Sequence, residues 1–285
     1  MFGVSSAFVV SQYGPGFTPE HYCQALSLLR ELGFTGFQPA IYTKQGLPDW
    51  RKGGAQKVRA RSRELGVQAT QVMGHFLMEE FGAPERLQAG AGQEDLKGAL
   101  EAAKVFEECK VFTVPLGPFK VNYEEAGRLD GRWFGDLQQR LAEKLGRFVE
   151  AVSGAGLQMA VEILPFSLIG GFAGFQEVSR QIGSGKLGVN LDTGHAWANR
   201  EVLALAPLRL AGRVFGVHLK DNNSNENQAL APGKGTIEWS AFLRNLLASG
   251  YQGSLDVEIG CKAEQVREEY QAGLDYLKPL VSKIR

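Results

Sequence analysis

The chain has 285 residues, of which 44% are hydrophobic and 22% are charged, a composition typical of a soluble globular protein. Its 31 Lys and Arg residues balance 31 Asp and Glu residues, so a formal net charge of zero gives no long-range attraction to nucleic acid or to an anionic membrane. No stretch of about 18 uninterrupted apolar residues occurs, which argues against a membrane span. We therefore expect neither nucleic acid nor a membrane as a partner.

The cysteines and the first residues indicate a cellular location. The three cysteines, Cys23, Cys109 and Cys261, are widely spaced and fit neither a disulfide framework nor a zinc ribbon. The opening segment MFGVSSAFVVSQYGPG contains neither a basic leader nor a long apolar region, so we expect no signal peptide. Both features favour a reducing, cytoplasmic environment.

Eight strand-like segments alternate with helical patterns along the chain. The predicted strands cover residues 2–10, 34–42, 67–76, 110–117, 158–164, 187–192, 214–221 and 254–260. The first helical pattern begins with Thr18 as a cap and Pro19 in the first turn, and it ends at Gly33. A second pattern covers residues 137–152, and a third follows Thr236, which is placed to cap a helix.

This alternation predicts an α/β fold, a single (β/α)₈ TIM barrel over residues 1–285. Eight strand–helix units of about 36 residues each account for the chain length of 285 residues, and such barrels typically have about 250. No Pro/Gly/Ser-rich linker divides the chain. The alternative is an open doubly wound sheet, which requires a Gly-rich phosphate turn after the first strand. That position reads SQYGPG, which is not a dinucleotide-binding motif.

Polar residues stand at equivalent ends of the last four predicted strands. They are Glu162 in AVEILPF, Asp192 in LGVNLD, His218 in GVHLKD and Glu258 in DVEIG. Neighbouring strands lie about 4.8 Å apart, and barrel closure turns their ends toward one axis, so four side chains can reach one point. The alternative for each residue is a local salt bridge or a strand-end cap.

A divalent cation would relieve the repulsion between three carboxylates crowded in a barrel mouth. Three oxygen donors and one imidazole suit Mn²⁺ first, with Mg²⁺, Co²⁺ and Zn²⁺ as further choices. The sequence therefore predicts one divalent metal ion held by Glu162, Asp192, His218 and Glu258.

Other residues near the strand ends are candidates for binding a substrate. His195 follows Asp192 by three residues, and the sequence leaves open whether it is a metal ligand or a substrate donor; we favour the donor because four ligands are already present. His75 is open between a substrate contact and a structural role. Lys220 and Asp221 either bind substrate oxygens or pair with each other. Trp197 offers an aromatic face for a sugar, and the polar segment 221–231 is expected to form a mobile loop over the mouth.

The segments VEILPF, NLDTGH, VHLKD, PGKGTIEW and DVEIG together resemble the xylose-isomerase-like TIM-barrel superfamily of sugar isomerases and epimerases. The resemblance implies that Glu162 and Glu258 act as an acid/base pair beside the metal and that His195 contacts the substrate. It also implies a carbohydrate-like small molecule as substrate, transformed by proton transfer through a metal-stabilised enediolate. A homo-oligomer is compatible with this interpretation.

Departures of this sequence from the family pattern make some alternative functions less favoured than others. Abasic-site endonucleases of this superfamily hold three metals and need further histidines, yet strand four ends in TVPLG and the segment after strand seven contains none. Ketose 3-epimerases often carry a glutamate where this chain has Leu168. A metal-dependent dehydratase of an inositol-like or shikimate-like substrate remains the second hypothesis. A catalytically inactive carbohydrate-binding barrel is less favoured because all four ligand positions are filled.

Overall fold

The computed structural model describes residues 1–88, 90–122, 131–210, 212–223 and 225–284. Its strands are β1 (Phe2–Val4), β2 (Gly36–Phe37), β3 (Ala40–Ile41), β4 (Gln68–Ala69), β5 (Val72–Gly74), β6 (Val111–Leu116), β7 (Gln158–Ile163), β8 (Leu187–Asp192), β9 (Val214–Leu219) and β10 (Leu255–Val257). Its α-helices are Ala7–Tyr13, Pro19–Glu31, Leu47–Asp49, Ala55–Leu65, Gln93–Ala103, Gly131–Gly154, Phe172–Ile182, Thr193–Ala198, Ala206–Arg209, Trp239–Ala248 and Val266–Ile284.

The strand segments of the described residues form one closed parallel barrel, which confirms the predicted TIM-barrel fold. Segments β2 and β3 are two parts of the second predicted strand, and β4 and β5 are two parts of the third. Because β2 pairs with β4 and β3 pairs with β5, these two strands are neighbours along their whole length. Strand β10 pairs with β1, so the ring of eight strands closes.

The interruption of the second and third strands has a local cause. Pro39 lies between β2 and β3 and has no backbone N–H to donate to the ladder. The register of the pairing shifts by one residue between the two halves, so Thr70 and Gln71 leave the regular ladder. These two side chains then form hydrogen bonds inside the barrel.

Two local predictions are wrong, and one is confirmed. The predicted strand 2–10 stops at Val4, and residues 7–13 are helical; a short apolar run such as AFVV buries its side chains in either conformation. The third helix begins at Trp239 with Glu238 as N-cap, because the Thr236 hydroxyl instead donates to the Asn222 carbonyl. Thr18 caps its helix as predicted, accepting a hydrogen bond from the His21 N–H.

The hydrophobic core fills the layer between the barrel and the surrounding helices. The predicted stripe of the second helical pattern is buried at every position: Leu137, Leu141, Leu145, Phe148, Val149 and Val152. The three cysteines are free. None of the described helices combines the length and the apolar character needed to cross a bilayer.

A buried polar layer lies inside the barrel, one step below the strand ends. The Gln71 amide donates to Asn190 Oδ1 at 3.0 Å, and the Thr113 hydroxyl donates to Gln71 Oε1 at 2.5 Å. Gly216 makes room for this contact, since an added Cβ would lie 2.6 Å from Asn190 Oδ1. Asn190 precedes Asp192 by two residues, so the same strand face supplies both this layer and the mouth.

Candidate metal centre

The four predicted ligands stand at the carboxyl ends of four adjacent strands. Glu162 is the penultimate residue of β7, Asp192 is the last residue of β8, His218 is the penultimate residue of β9, and Glu258 directly follows β10. The strand register pairs Asp192 with His218, so these side chains start at the same height. In a barrel of this kind, functional groups gather at this end.

The structure brings one ligand atom from each of these four residues to within 4.8 Å of all the others. His218 Nδ1 lies at the centre, 2.9 Å from Glu162 Oε1, 3.0 Å from Glu258 Oε2 and 3.7 Å from Asp192 Oδ2. Within the described residues, this is the one group of His, Cys, Asp and Glu side chains with such spacing. These four side chains could hold a single divalent cation.

Asp192 serves two purposes, because its carboxylate also begins the short helix Thr193–Ala198. Its Oδ1 accepts a hydrogen bond from the His195 N–H at 2.7 Å, as an N-cap does. Its Oδ2 faces the cluster. The cap turns the chain so that His195 Nε2 lies 3.9 Å from Asp192 Oδ2, over the site.

Lys220 lies among the same carboxylates. Its ammonium is 2.6 Å from Glu258 Oε1 and 2.9 Å from Asp192 Oδ2, and its side chain is 2% exposed. The contact with Asp192 Oδ2 is an ion pair. His195 Nε2 is a third neighbour at 3.4 Å. The ammonium is therefore a charge partner of two candidate ligands, and because Lys220 also lines the cavity, its contact with a substrate stays a prediction.

Burial and mutual charge shift the pKa values of the cluster in different directions. Burial raises the pKa of Glu162 to about 7 despite the attraction of His218. Burial would also raise the pKa of Glu258, but the Lys220 and His218 charges hold it well below its usual value. The pKa of His218 is raised well above its usual range, because attraction to Glu258 and Glu162 outweighs its burial. The two glutamates therefore have unlike environments.

His195 is neutral at pH 7 in this environment. Burial lowers its pKa to about 4, although Asp192 acts in the opposite direction. A neutral imidazole has one donor and one acceptor nitrogen and can give or receive a single hydrogen bond at each. This arrangement suits contact with a substrate hydroxyl or carbonyl.

A cavity of about 250 Å³ opens above the cluster. Glu162, Glu258, Lys220 and His195 line its floor, and residues of the first four strands and their loops line the opposite wall: Ser6, Ala7, Val10, Tyr42, Met73, His75 and Pro115. The volume is below the roughly 300–1,000 Å³ of drug-sized ligand sites, so it suits a small molecule.

Tyr42 and His75 form a stacked pair in that wall. Their ring centroids are 3.7 Å apart and the ring planes differ by 10°. Burial lowers the pKa of His75, so the ring is held neutral beside Tyr42. Tyr42 was not predicted, unlike His75, although its position as the last residue of a predicted strand was a signal for it.

Trp197 lies outside this cavity. It borders a separate surface cavity of about 320 Å³ with Arg200, Glu201, Asn223 and Asn225. Because successive helical residues turn by about 100°, a residue two positions after His195 points away from the site. Trp197 is thus absent from the lining of the main cavity, and its contact with a substrate stays a prediction.

Asp221 does not pair with Lys220, and that alternative is wrong. Its carboxylate accepts hydrogen bonds from Asn222 N, Gly233 N, Ile237 N and Trp239 Nε1, all between 2.8 and 3.1 Å. Asp221 is fully buried and thus fixes both ends of the loop that follows β9. It positions this loop and is not available to a substrate.

The loop after β9 lies over the mouth, as predicted; Ser224 within it is outside the described residues. Asn222 Oδ1 accepts from the N–H groups of Gln228 and Ala229, and its amide donates to the Gly194 carbonyl. Asn227 and Ala229 line the cavity. Asn227 was not anticipated, since nothing in its sequence position distinguishes it from the neighbouring asparagines.

The closed barrel and its cluster of strand-end ligands define this chain as a TIM-barrel protein with a candidate metal centre. The sequence model of the family described as xylose isomerase-like TIM barrel matches residues 26–280, so the chain belongs to that family. The uncharacterized protein MJ1311 of Methanocaldococcus jannaschii is 28% identical over 136 residues, which are 44% of this chain and 46% of that protein. The chain therefore matches less than half the length of this curated relative.

Solved structures share the whole fold at low sequence identity. L-ribulose 3-epimerase has a TM-score of 0.74 and 17% identity, covering 100% of this chain and 95% of that chain. The 3-keto-D-glucoside 4-epimerase YcjR from E. coli has a TM-score of 0.72 and 20% identity, covering 98% of each chain. The IolI protein with a bound zinc atom has a TM-score of 0.72 and 14% identity, covering 100% and 99%.

Proposed function

We propose that this chain is a divalent-metal-dependent isomerase or epimerase of a sugar or a related hydroxy-carbonyl compound. The observation that carries this proposal is the convergence of Glu162, Asp192, His218 and Glu258, with ligand atoms within 4.8 Å of one another at the floor of a small cavity. The names of structural neighbours support it, since L-ribulose 3-epimerase and 3-keto-D-glucoside 4-epimerase are sugar epimerases.

The donor set fits a divalent ion. Three carboxylates and one imidazole suit Mn²⁺ first, and Mg²⁺, Co²⁺ or Zn²⁺ next, because oxygen donors prevail and no thiolate is present in the group. His218 directs Nδ1 toward all three carboxylates, as a shared ligand site requires. The zinc atom named with the IolI structure is a further indication of a metal in this fold.

The residues of the site have separate tasks in the proposed reaction. A divalent ion, when bound, polarises a carbonyl group and acidifies the adjacent C–H. Glu162 and Glu258 are the acid/base pair: one carboxylate removes the proton from that carbon and the other returns a proton. Return to the neighbouring carbon gives an isomer, and return to the opposite face of the same carbon gives an epimer.

The unlike environments of the two glutamates suit this division. Glu258, paired with Lys220, is ionised and has no proton to give, so it is the acceptor of the pair, whereas Glu162, with a pKa raised by burial to about 7, can hold a proton near neutral pH. His195 faces the cavity and is proposed to orient a substrate oxygen. Tyr42 and His75 are proposed to pack against the substrate and to exclude water.

Two measurements test the proposal. Metal analysis of the purified protein should find about one divalent ion per chain after loading with Mn²⁺. A screen of sugars, inositols and hydroxy-keto acids in D₂O should then find a compound that gains solvent deuterium at carbon without losing water. A product formed by loss of water would favour the dehydratase instead, and absence of metal binding would refute both.

The three free thiols support a cytoplasmic setting for such a carbohydrate enzyme.

A further inference from the structure

We propose that Lys220 is a built-in cation that holds the ligand set together without metal and weakens the binding of the divalent ion, so that the ion stays exchangeable. This inference rests on the proposed function, because it concerns the same four ligands. It assigns Lys220 a positioning role rather than a catalytic one. Nothing in the sequence alone distinguishes this lysine from a substrate-binding lysine.

The contacts of the ammonium carry the proposal. Lys220 Nζ lies 2.9 Å from Asp192 Oδ2, the oxygen of that carboxylate that also faces His218. It lies 2.6 Å from Glu258 Oε1, while Oε2 of the same residue faces His218 at 3.0 Å. The ammonium therefore touches two of the four ligands, and it shares Asp192 Oδ2 with the cluster. In the part of the chain that the structure describes, no other Lys or Arg makes an ion pair with these ligands.

Lys220 is fixed at both its backbone and its side chain. The Thr193 hydroxyl accepts a hydrogen bond from the Lys220 N–H at 2.9 Å and lies 2.7 Å from the Lys220 carbonyl. The side chain is 2% exposed, so the ammonium is held among its carboxylate partners. A cation so placed cannot withdraw easily when a metal ion arrives.

Charge interactions determine how removing the Lys220 charge changes the stability of the metal-free and of the metal-loaded protein. Without metal, the ammonium offsets the repulsion between Asp192 and Glu258, and its removal would destabilise the metal-free protein. With metal, the ammonium keeps its attraction to Asp192 and Glu258 but also repels the divalent ion, so removing its charge costs the loaded protein less than it costs the metal-free protein. The difference between the two states is this repulsion, so neutralising Lys220 should tighten metal binding.

The test compares Lys220→Met and Lys220→Gln with the wild-type chain, each freed of metal by a chelator. Titration with MnCl₂ against a fluorescent competing chelator should give dissociation constants at least about tenfold lower in both variants, since charges this close interact strongly even at an effective dielectric near 20. The melting temperature of the metal-free variants should fall. Lys234→Met, which removes a surface lysine paired with Glu269, should change neither quantity.

Each outcome separates this inference from the proposed function. If the wild type binds Mn²⁺ and both neutral variants bind it equally or more weakly, the inference is overturned and the proposed function stands. If neither the wild type nor the variants bind, the metal proposal fails and takes the inference with it. If the metal-free variants are unfolded, the metal-loaded variants are instead mixed with excess chelator, and their loss of Mn²⁺ must be slower than that of the wild type.

Discussion

The two halves of the barrel differ in both regularity and chemistry. Strands β6 to β9 are six residues long and uninterrupted, and three of the four candidate ligands lie in β7, β8 and β9, with Glu258 just past β10. The second and third strands are broken into pieces of two or three residues, and their half supplies Tyr42, Met73 and His75 to the cavity wall. One half holds charges, and the other holds aromatic and apolar groups.

This difference suggests that the two halves of the barrel contribute differently to one cavity: the half with β6 to β10, called the regular half, supplies the candidate metal ligands, and the half with the interrupted second and third strands, called the broken half, supplies side chains that would contact a substrate. Long neighbouring strands place the candidate ligand atoms at fixed heights, because beyond the register shift at Val189 and Asn190 the pairing of β8 with β9 sets Asp192 opposite His218. The broken strands end in loops, where side chains such as the stacked Tyr42 and His75 can be varied without moving the ligands. We expect changes in the regular half to affect turnover or metal binding, and changes in the broken half to affect substrate binding.

The largest effect should come from the regular half, at the glutamates. Glu162→Gln and Glu258→Gln should each lower turnover by about 10²- to 10⁴-fold, because a neutral amide cannot transfer the proton. The melting temperature should stay within a few degrees of wild type. Turnover is measured on the substrate found by the deuterium screen, with the surface variant Glu177→Gln as control. Full activity in either variant would refute the acid/base assignment.

A smaller effect is expected at His195, which belongs to the same half but is not needed to hold the ion. His195→Ala should reduce kcat/KM by about 10- to 100-fold, the usual effect of losing one strong hydrogen bond. The dissociation constant for Mn²⁺, measured with the competing chelator, should stay close to that of the wild type, because His195 donates to Asp192 through its backbone N–H, which alanine retains. Loss of the ion would instead identify His195 as a ligand.

The broken half is tested at the stacked pair. Tyr42→Ala should raise KM by about tenfold with little change in kcat, because it removes ring contact with the substrate and no proton-transferring group. Metal affinity should be unchanged. Tyr13 and His21 form a second stacked pair, 4.5 Å apart and outside the cavity lining, so Tyr13→Ala is the matched control. A fall in kcat with unchanged KM would contradict the division between the halves.

The smallest effect concerns the stability of the wall below neutral pH. Burial lowers the pKa of His75, so the unfolded chain binds a proton at this site more readily than the folded chain. The contribution of His75 to the free energy of unfolding is therefore complete above the pKa of the unfolded chain, about 6.5, and it decreases as the pH falls below that value. Between pH 7.5 and 5.5, the melting temperature of His75→Asn should fall by a few degrees less than that of wild type. An equal fall would show that His75 is not held neutral.

The barrel fold and the four strand-end residues could be predicted from the sequence, because each is signalled by a short local pattern. An apolar run that ends in Asp192 or His218 is readable in a few residues, and four such runs at one-unit spacing place four polar groups at one barrel end. Resemblance to a family then suggested the proposed acid/base roles of Glu162 and Glu258. The extent of the first strand was misjudged, because a short apolar run is compatible with either a strand or a helix.

The remaining features depend on distances between residues far apart in the chain, which only the tertiary structure decides. Lys220 was equally free in sequence to pair with Asp221 or to contact a substrate, but β8 and the end of β10 bring Asp192 and Glu258 to its ammonium. Asp221 turns to the opposite side because four N–H donors of its own loop and helix meet it there. Tyr42 reaches His75 only because the second and third strands pair in parallel. Local patterns fix which residues stand at the strand ends, whereas electrostatic pairing and packing across strands fix what each of them touches.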